Sequence, residues 1–340
     1  MTNDFLVKTM FEYTYRSENG EHAPPTTTKL RFLPSVQVIG TCAFRGCKYL
    51  TSIKIPSSVQ IIHEAAFYGC ENLTDIILPS SVTTIGGWAF GNCRALTTIN
   101  IPSSIQIISP FTFGFCTSLE CISLPSSLKT IGYGAFDNCK SLTIIDIPSS
   151  LDTIETCAFN SCSSLKSLKI PSRVYKIGCG AFNGCKSLSN INLPSSLNAI
   201  EEHTFEDCAS LSSIMIPQSV NQIGKFAFNN CRSLTNITLP PSLRIVGNHA
   251  FQDCMSLCTA IIDKKLFLNQ HVFLEKTKII RSYWYDVGPC ILLRELFLNK
   301  RAEAISFVEG DLRVIQTFII NTSDDIFRAV IDFLVDSIQH

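Results

Sequence analysis

Ten phenylalanines, Phe44, Phe67, Phe90, Phe113, Phe136, Phe159, Phe182, Phe205, Phe228 and Phe251, stand 23 residues apart, and each is followed three residues later by a cysteine, from Cys47 to Cys254. A period this strict requires every 23-residue segment to fold alike and to set the same side chain at the same depth in a core shared with its neighbours. The chain is thereby constrained to a stacked solenoid. The ten rings are its predicted structural core ladder.

One unit, Leu73 to Cys93, represents the others. Ile76 and Leu78 share a face by period two, which predicts a short strand, and Pro79 ends it because proline has no N–H for a ladder. Ser80 and Ser81 turn the chain. Val82 and Ile85, three apart, predict one helical turn or a tight bend, Gly86-Gly87 permits another turn, and Ala89-Phe90 returns to the core. The residue before the cysteine is Gly, Asn or Asp in eight of the ten copies. Those types accept positive φ, so a left-handed kink is expected there, with strain at the exceptions Phe115 and Ser161.

A period of 23 with one short strand falls in the leucine-rich-repeat range of roughly 20–29 residues. The Leu-Pro or Ile-Pro strand end, the Ile-Gly pair and Ala-Phe-x-x-Cys, seen together in residues 78–99, resemble the BspA-like leucine-rich repeats. The resemblance runs over residues 30–262. It implies a curved, right-handed leucine-rich-repeat solenoid, with short parallel β-strands on one side and loops or short helical turns on the other. It also implies protein-binding or adhesive roles, often at cell surfaces.

Residues 1–29 are expected to form an N-terminal cap: Phe11, Tyr13 and Tyr15 alternate as in a half-buried strand, and Leu30 and Phe32 already sit in repeat register. After residue 262 the register decays, with His271-Val272-Phe273 one residue early and Lys276 where a cysteine is due. Residues 263–340 read as a C-terminal cap or a small helical domain, with one helix after Pro289 and another capped by Thr322 or Ser323.

Lys and Arg total 28 against 28 Asp and Glu, so no electrostatic pull toward nucleic acid or anionic lipid is expected. There is no stretch of roughly 18 apolar residues for membrane insertion. The first ten residues lack a basic segment followed by an apolar run, so a cytoplasmic or otherwise intracellular location is expected. No phosphate-loop, dinucleotide or His-Glu-x-x-His pattern occurs, and neither cofactor nor metal is expected. Cys254 and Cys258 alone make at most half a zinc site. An enzyme would have to place its chemistry in the tail, where Cys290 and Glu295 lack identifiable partners.

The chain has 16 cysteines. The ladder set, between apolar neighbours, is expected as free buried thiols. The other six, Cys42, Cys121, Cys157, Cys179, Cys258 and Cys290, show no bonding pattern. His63, His203 and His249 suggest no nucleophilic site, because the column shared by His203 and His249 also accepts Cys, Trp, Phe and Gly. The informative columns are those on the strand that change from copy to copy. Lys54, Asp75, Asn100, Asp146, Lys169, Asn190, Asn192, Met215 and Asn236 are expected to point outward and to offer a face to a protein or peptide. The alternative is a solvated sheet under no constraint.

Overall fold

A computed structural model describes residues 11–17, 20–269 and 271–282. Those up to Ile280 belong to one compact unit. The helices expected after Pro289 and at Thr322 or Ser323, with Cys290 and Glu295, lie outside the described residues.

The coils build two stacks of parallel strands, not one. The first contains Ser52–Lys54, Asp75–Ile77, Thr98–Asn100, Cys121–Ser123, Ile144–Ile145, Ser167–Lys169, Asn190–Asn192 and Asn236–Thr238. Pairing keeps residues one repeat apart in register, as in Ser52↔Asp75 and Lys169↔Asn192. The second stack consists of two-residue strands such as Thr84–Ile85, Thr130–Ile131 and Lys176–Ile177, where a helical turn or bend was expected. Its register is equally strict, with Ile131↔Ile154 and Ile154↔Ile177. The reason for the difference is length. Two residues are too few to display a period of two, and the spacing of Val82 and Ile85 instead reflects a chain that turns a corner between two buried side chains. Ser213–Met215 is the one copy between Ser52 and Thr238 that forms no strand in the first stack.

The Pro-Ser-Ser segment between the stacks is a turn that also joins coils. Val82 N–H donates to the Pro79 carbonyl at 3.2 Å, closing the turn. The second serine then reaches into the preceding coil: Ser81 Oγ donates to Val59 O at 2.6 Å, Ser127 to Ile105 O at 2.7 Å, and Ser150 to Leu128 O at 2.6 Å. Backbone carbonyls at this corner are thus satisfied by hydroxyls where no strand N–H is available.

The third side of the coil is a run of turns from residue 41 to 46 and its equivalents, with two left-handed residues in every copy. One is the expected position before the cysteine, including Phe115 at φ 64° and Ser161 at φ 58°. The other lies four residues earlier: Cys42, Ala65, Trp88, Phe111, Gly134, Cys157, Gly180, His203, Phe226 and His249, all with φ between 51° and 61°. Left-handed backbone costs a non-glycine residue about 1–2 kcal/mol. Here it aims N–H groups at the next coil, with Ala65 N donating to Gly87 O at 2.9 Å, Phe67 N to Ala89 O at 2.8 Å and Gly69 N to Gly91 O at 2.9 Å.

The ten ladder phenylalanines and their ten cysteines are fully buried. Successive rings are stacked with centroids 4.9–5.7 Å apart, in the offset arrangement aromatic pairs favour. The register slip near residue 272 does not end the stack. Phe273 lies 4.9 Å from Phe251, Phe251 N donates to Val272 O at 3.0 Å, and Lys278 N donates to Cys258 O at 2.8 Å. At the other end Glu12–Tyr15 pairs in parallel with Lys29–Phe32. Tyr15 is buried, packs edge-on against Phe44 at 5.0 Å, and accepts a hydrogen bond from Gly40 N at 2.9 Å.

Candidate functional site

The first strand stack fixes one residue inward and two outward per coil. Ile53, Ile76, Ile99, Ile122, Ile145, Leu168, Ile191 and Ile237 are buried, while their neighbours on each side face out. Lys54, Asp75, Asn100, Asp146, Lys169, Asn190, Asn192, Met215 and Asn236 are all exposed. In-register pairing brings them into two columns, with one member of each column about every 4.8 Å. Asp146 lies just beyond the end of its strand, and Met215 lies in the coil that has no strand.

The same columns carry Ile77 and Ile144, at 54% and 63% exposure, beside Met215 at 58%. These three apolar side chains fall in coils three apart, about 14 Å between successive ones at the usual strand spacing. Ile77 and Ile144 occupy outward positions of these columns, where an isoleucine in a strand is ordinarily read as interior. Only their place in the column distinguishes them. The rest of the face is small and polar.

The residue types with catalytic or metal-binding chemistry named above are held apart or occupied. Cys254 is sealed in the ladder and donates to Phe228 O at 3.1 Å, whereas Cys258 is exposed and donates to Ser256 O at 3.3 Å, so the two do not converge. Among the described residues no group of three or more His, Cys, Asp or Glu is placed to hold a metal ion. His203 Nδ1 bonds the Glu206 carboxylate at 2.7 Å, and that carboxylate also accepts from Asn183 at 3.0 Å and Asn229 at 2.9 Å. The rings of His203, Phe226, His249 and His271 continue as a second, half-exposed stack along the turn edge, at 5.1–5.6 Å.

Titration follows burial. Desolvation pushes Cys47 up to about 11, and Cys116 and Cys185 up to about 12. Cys93, Cys139, Cys162, Cys208 and Cys231 are also raised well above the ordinary thiol value, with burial as the first cause. Such thiols are poor nucleophiles. Asp137 is also raised by burial, although Asn160 at 2.7 Å and Asn138 at 3.1 Å donate to it and oppose the shift. Its partners are amides, which gives a structural polar cluster and no acid–base pair. No described helix is long and apolar enough to cross a membrane.

Known proteins resemble the chain in sequence pattern. A family described as the BspA type leucine rich repeat region, in six copies, matches residues 37–166 and 153–280. Among solved structures, a leucine-rich repeat protein from Bacteroides ovatus is 27% identical, with 82% of this chain and 94% of that one covered and a TM-score of 0.44. The T. pallidum leucine rich repeat protein is 32% identical over 54% of this chain and 77% of its own, with a TM-score of 0.46. A leucine rich cell surface protein from Faecalibacterium prausnitzii is 27% identical over 73% and 83%, with a TM-score of 0.48. No curated protein matches the chain.

Proposed function

The chain belongs to the BspA type leucine-rich-repeat family, and from that premise we propose that it is a non-enzymatic recognition module whose exposed strand columns bind a protein or peptide. The observation that carries this reading is a contrast between two sets of positions in the same strands. The inward residue is Ile or Leu in coil after coil, while its outward neighbours run through Lys, Asp, Asn, Ser, Ile and Met. A backbone that repeats while its exposed columns differ presents a distinct row of side chains at fixed spacing, which suits an extended ligand.

The polar surroundings give register and the exposed apolar residues give burial. Ile77, Ile144 and Met215 would serve as anchors, with Lys54, Asp75, Asn100, Asp146, Lys169, Asn190, Asn192 and Asn236 setting orientation through hydrogen bonds and charge. The face lacks arginine and aromatic residues in these columns, so the affinity expected of it is modest.

The test is a capture experiment with three purified forms of the chain: unaltered, with Ile77, Ile144 and Met215 changed to Ser, and with Thr84 and Lys176 on the second strand stack changed to Ala. A partner retained by the first and third and lost by the second supports the reading. A partner lost equally from both variants, or from neither, removes the strand columns as the binding face. Protease added to intact native cells separates the two settings for such a module. Digestion would place it at the surface in an adhesive role, and complete protection would sink that alternative.

A further inference from the structure

We propose that Cys157 and Cys179 form a redox-sensitive dithiol, a modification site that a hydroperoxide closes into a disulfide between two adjacent coils. The two are 22 residues apart, one short of the repeat, so they belong to different columns and no spacing rule joins them. The coil geometry does. Cys157 N–H donates to the Cys179 carbonyl at 2.9 Å. With standard bond lengths their Cα atoms then lie no more than about 6.8 Å apart, within the span that disulfides bridge.

Side chains at these two positions meet two coils earlier, where the rings of Phe111 and Tyr133 stand 5.0 Å apart. Cys157, at φ 56°, sends its Sγ over the neighbouring coil, 3.4 Å from where a Cβ on Gly180 would stand. Because residue 180 is glycine, no side chain there crowds Cys157 Sγ. Both thiols are half-buried, so a small oxidant can reach them, whereas the ladder thiols are sealed. Cys42, in the same column as Cys157, is five coils away, and the exposed Cys121 and Cys258 lie on or beside the first strand stack.

The reaction needs one peroxide and yields water. The thiolate of one cysteine attacks the peroxide, the O–O bond breaks, and an alcohol, or water from hydrogen peroxide, leaves to give a sulfenic acid. The thiol of the second attacks that sulfur, the S–O bond breaks, and its proton departs with the hydroxide as water. Two thiols are oxidised and one peroxide is reduced. Burial first, then Asp137 and the partner thiol for Cys157 and Glu202 and Glu201 for Cys179, push both thiols up, so closure is slow at neutral pH and quickens as pH rises.

The experiment treats the full chain with hydrogen peroxide, blocks the remaining thiols and maps non-reduced peptides by mass spectrometry. The expected result is loss of two of the 16 thiols, a Cys157–Cys179 linked peptide, and a rate that rises about tenfold from about pH 7 to about pH 8. Cys157→Ser and Cys179→Ser should each abolish the link. Phenylarsine oxide, which requires two neighbouring thiols, probes the unaltered chain without any substitution and should bind one to one. Separate oxidation of the two cysteines with no link, or no arsenical adduct on the folded chain, overturns the proposal. So does an undiminished two-thiol loss in either variant.

Discussion

The thiol of Cys139 donates to the backbone carbonyl of Phe113, in the preceding coil, at 3.2 Å. The same carbonyl accepts the Cys116 N–H at 3.1 Å, so both of its lone pairs are used. This pairing recurs from Cys70 onto Phe44 through Cys254 onto Phe228, at 3.1–3.3 Å. The cysteine is thus a small buried donor that ties each coil to the ring-bearing residue of the one before. Replacing Cys139 with Ala removes the donor and leaves a void, and should cost about 1–3 kcal/mol in urea melts. An unchanged midpoint would reduce the thiol to a space filler.

Alkaline pH attacks the same ladder. Burial holds Cys47 at about 11 and Cys116 and Cys185 at about 12 in the folded chain, above the ordinary thiol value. The neutral thiol is therefore the form the fold favours, and the unfolded chain releases its protons first. The stability contributed is complete below about pH 8. It falls as pH rises through about 9 toward the folded values, by up to about 1.4 kcal/mol per pH unit for each thiol involved. Denaturant melts at about pH 8 and about pH 10 should show the drop, and equal midpoints would count against sealed thiols.

Phe136 stacks on Phe113 at 5.6 Å and on Phe159 at 5.2 Å and is fully buried. Phe136→Ala opens a cavity that two rigid neighbouring coils cannot fill, and a loss of about 3–5 kcal/mol is expected. A loss under about 1 kcal/mol in calorimetry would remove the ring from the core.

The strand columns should behave in the opposite way. Lys169 and Asn192 are exposed and in register with each other. Changing both to Ala should alter stability by no more than about 0.5 kcal/mol each. A large loss in the same melts would mean that these columns support the fold instead of a partner.

The phenylalanine ladder, the first strand stack and the outward columns were legible in the sequence because each uses one residue type or one period in every copy. The second strand stack was not, since Thr84–Ile85 and its equivalents are too short to show alternation. The second left-handed column was hidden for another reason. Only Gly134 and Gly180 among its ten members announce the backbone they adopt, and the hydrogen bonds to the next coil hold Trp88, Phe111 and His203 in it all the same. The approach of Cys157 to Cys179 depends on that hidden corner, which is why cysteine spacing alone revealed no pair.

In-register pairing on every side of the coil has a consequence for length. Because equivalent donors meet equivalent acceptors 22, 23 or 26 residues away in an adjacent coil, removing a whole 23-residue segment from within the regularly paired array rejoins matched partners. The solenoid therefore measures in fixed increments of about 4.8 Å. Evolution or an engineer can shorten or extend the ruler by whole coils without redesigning what lies inside it.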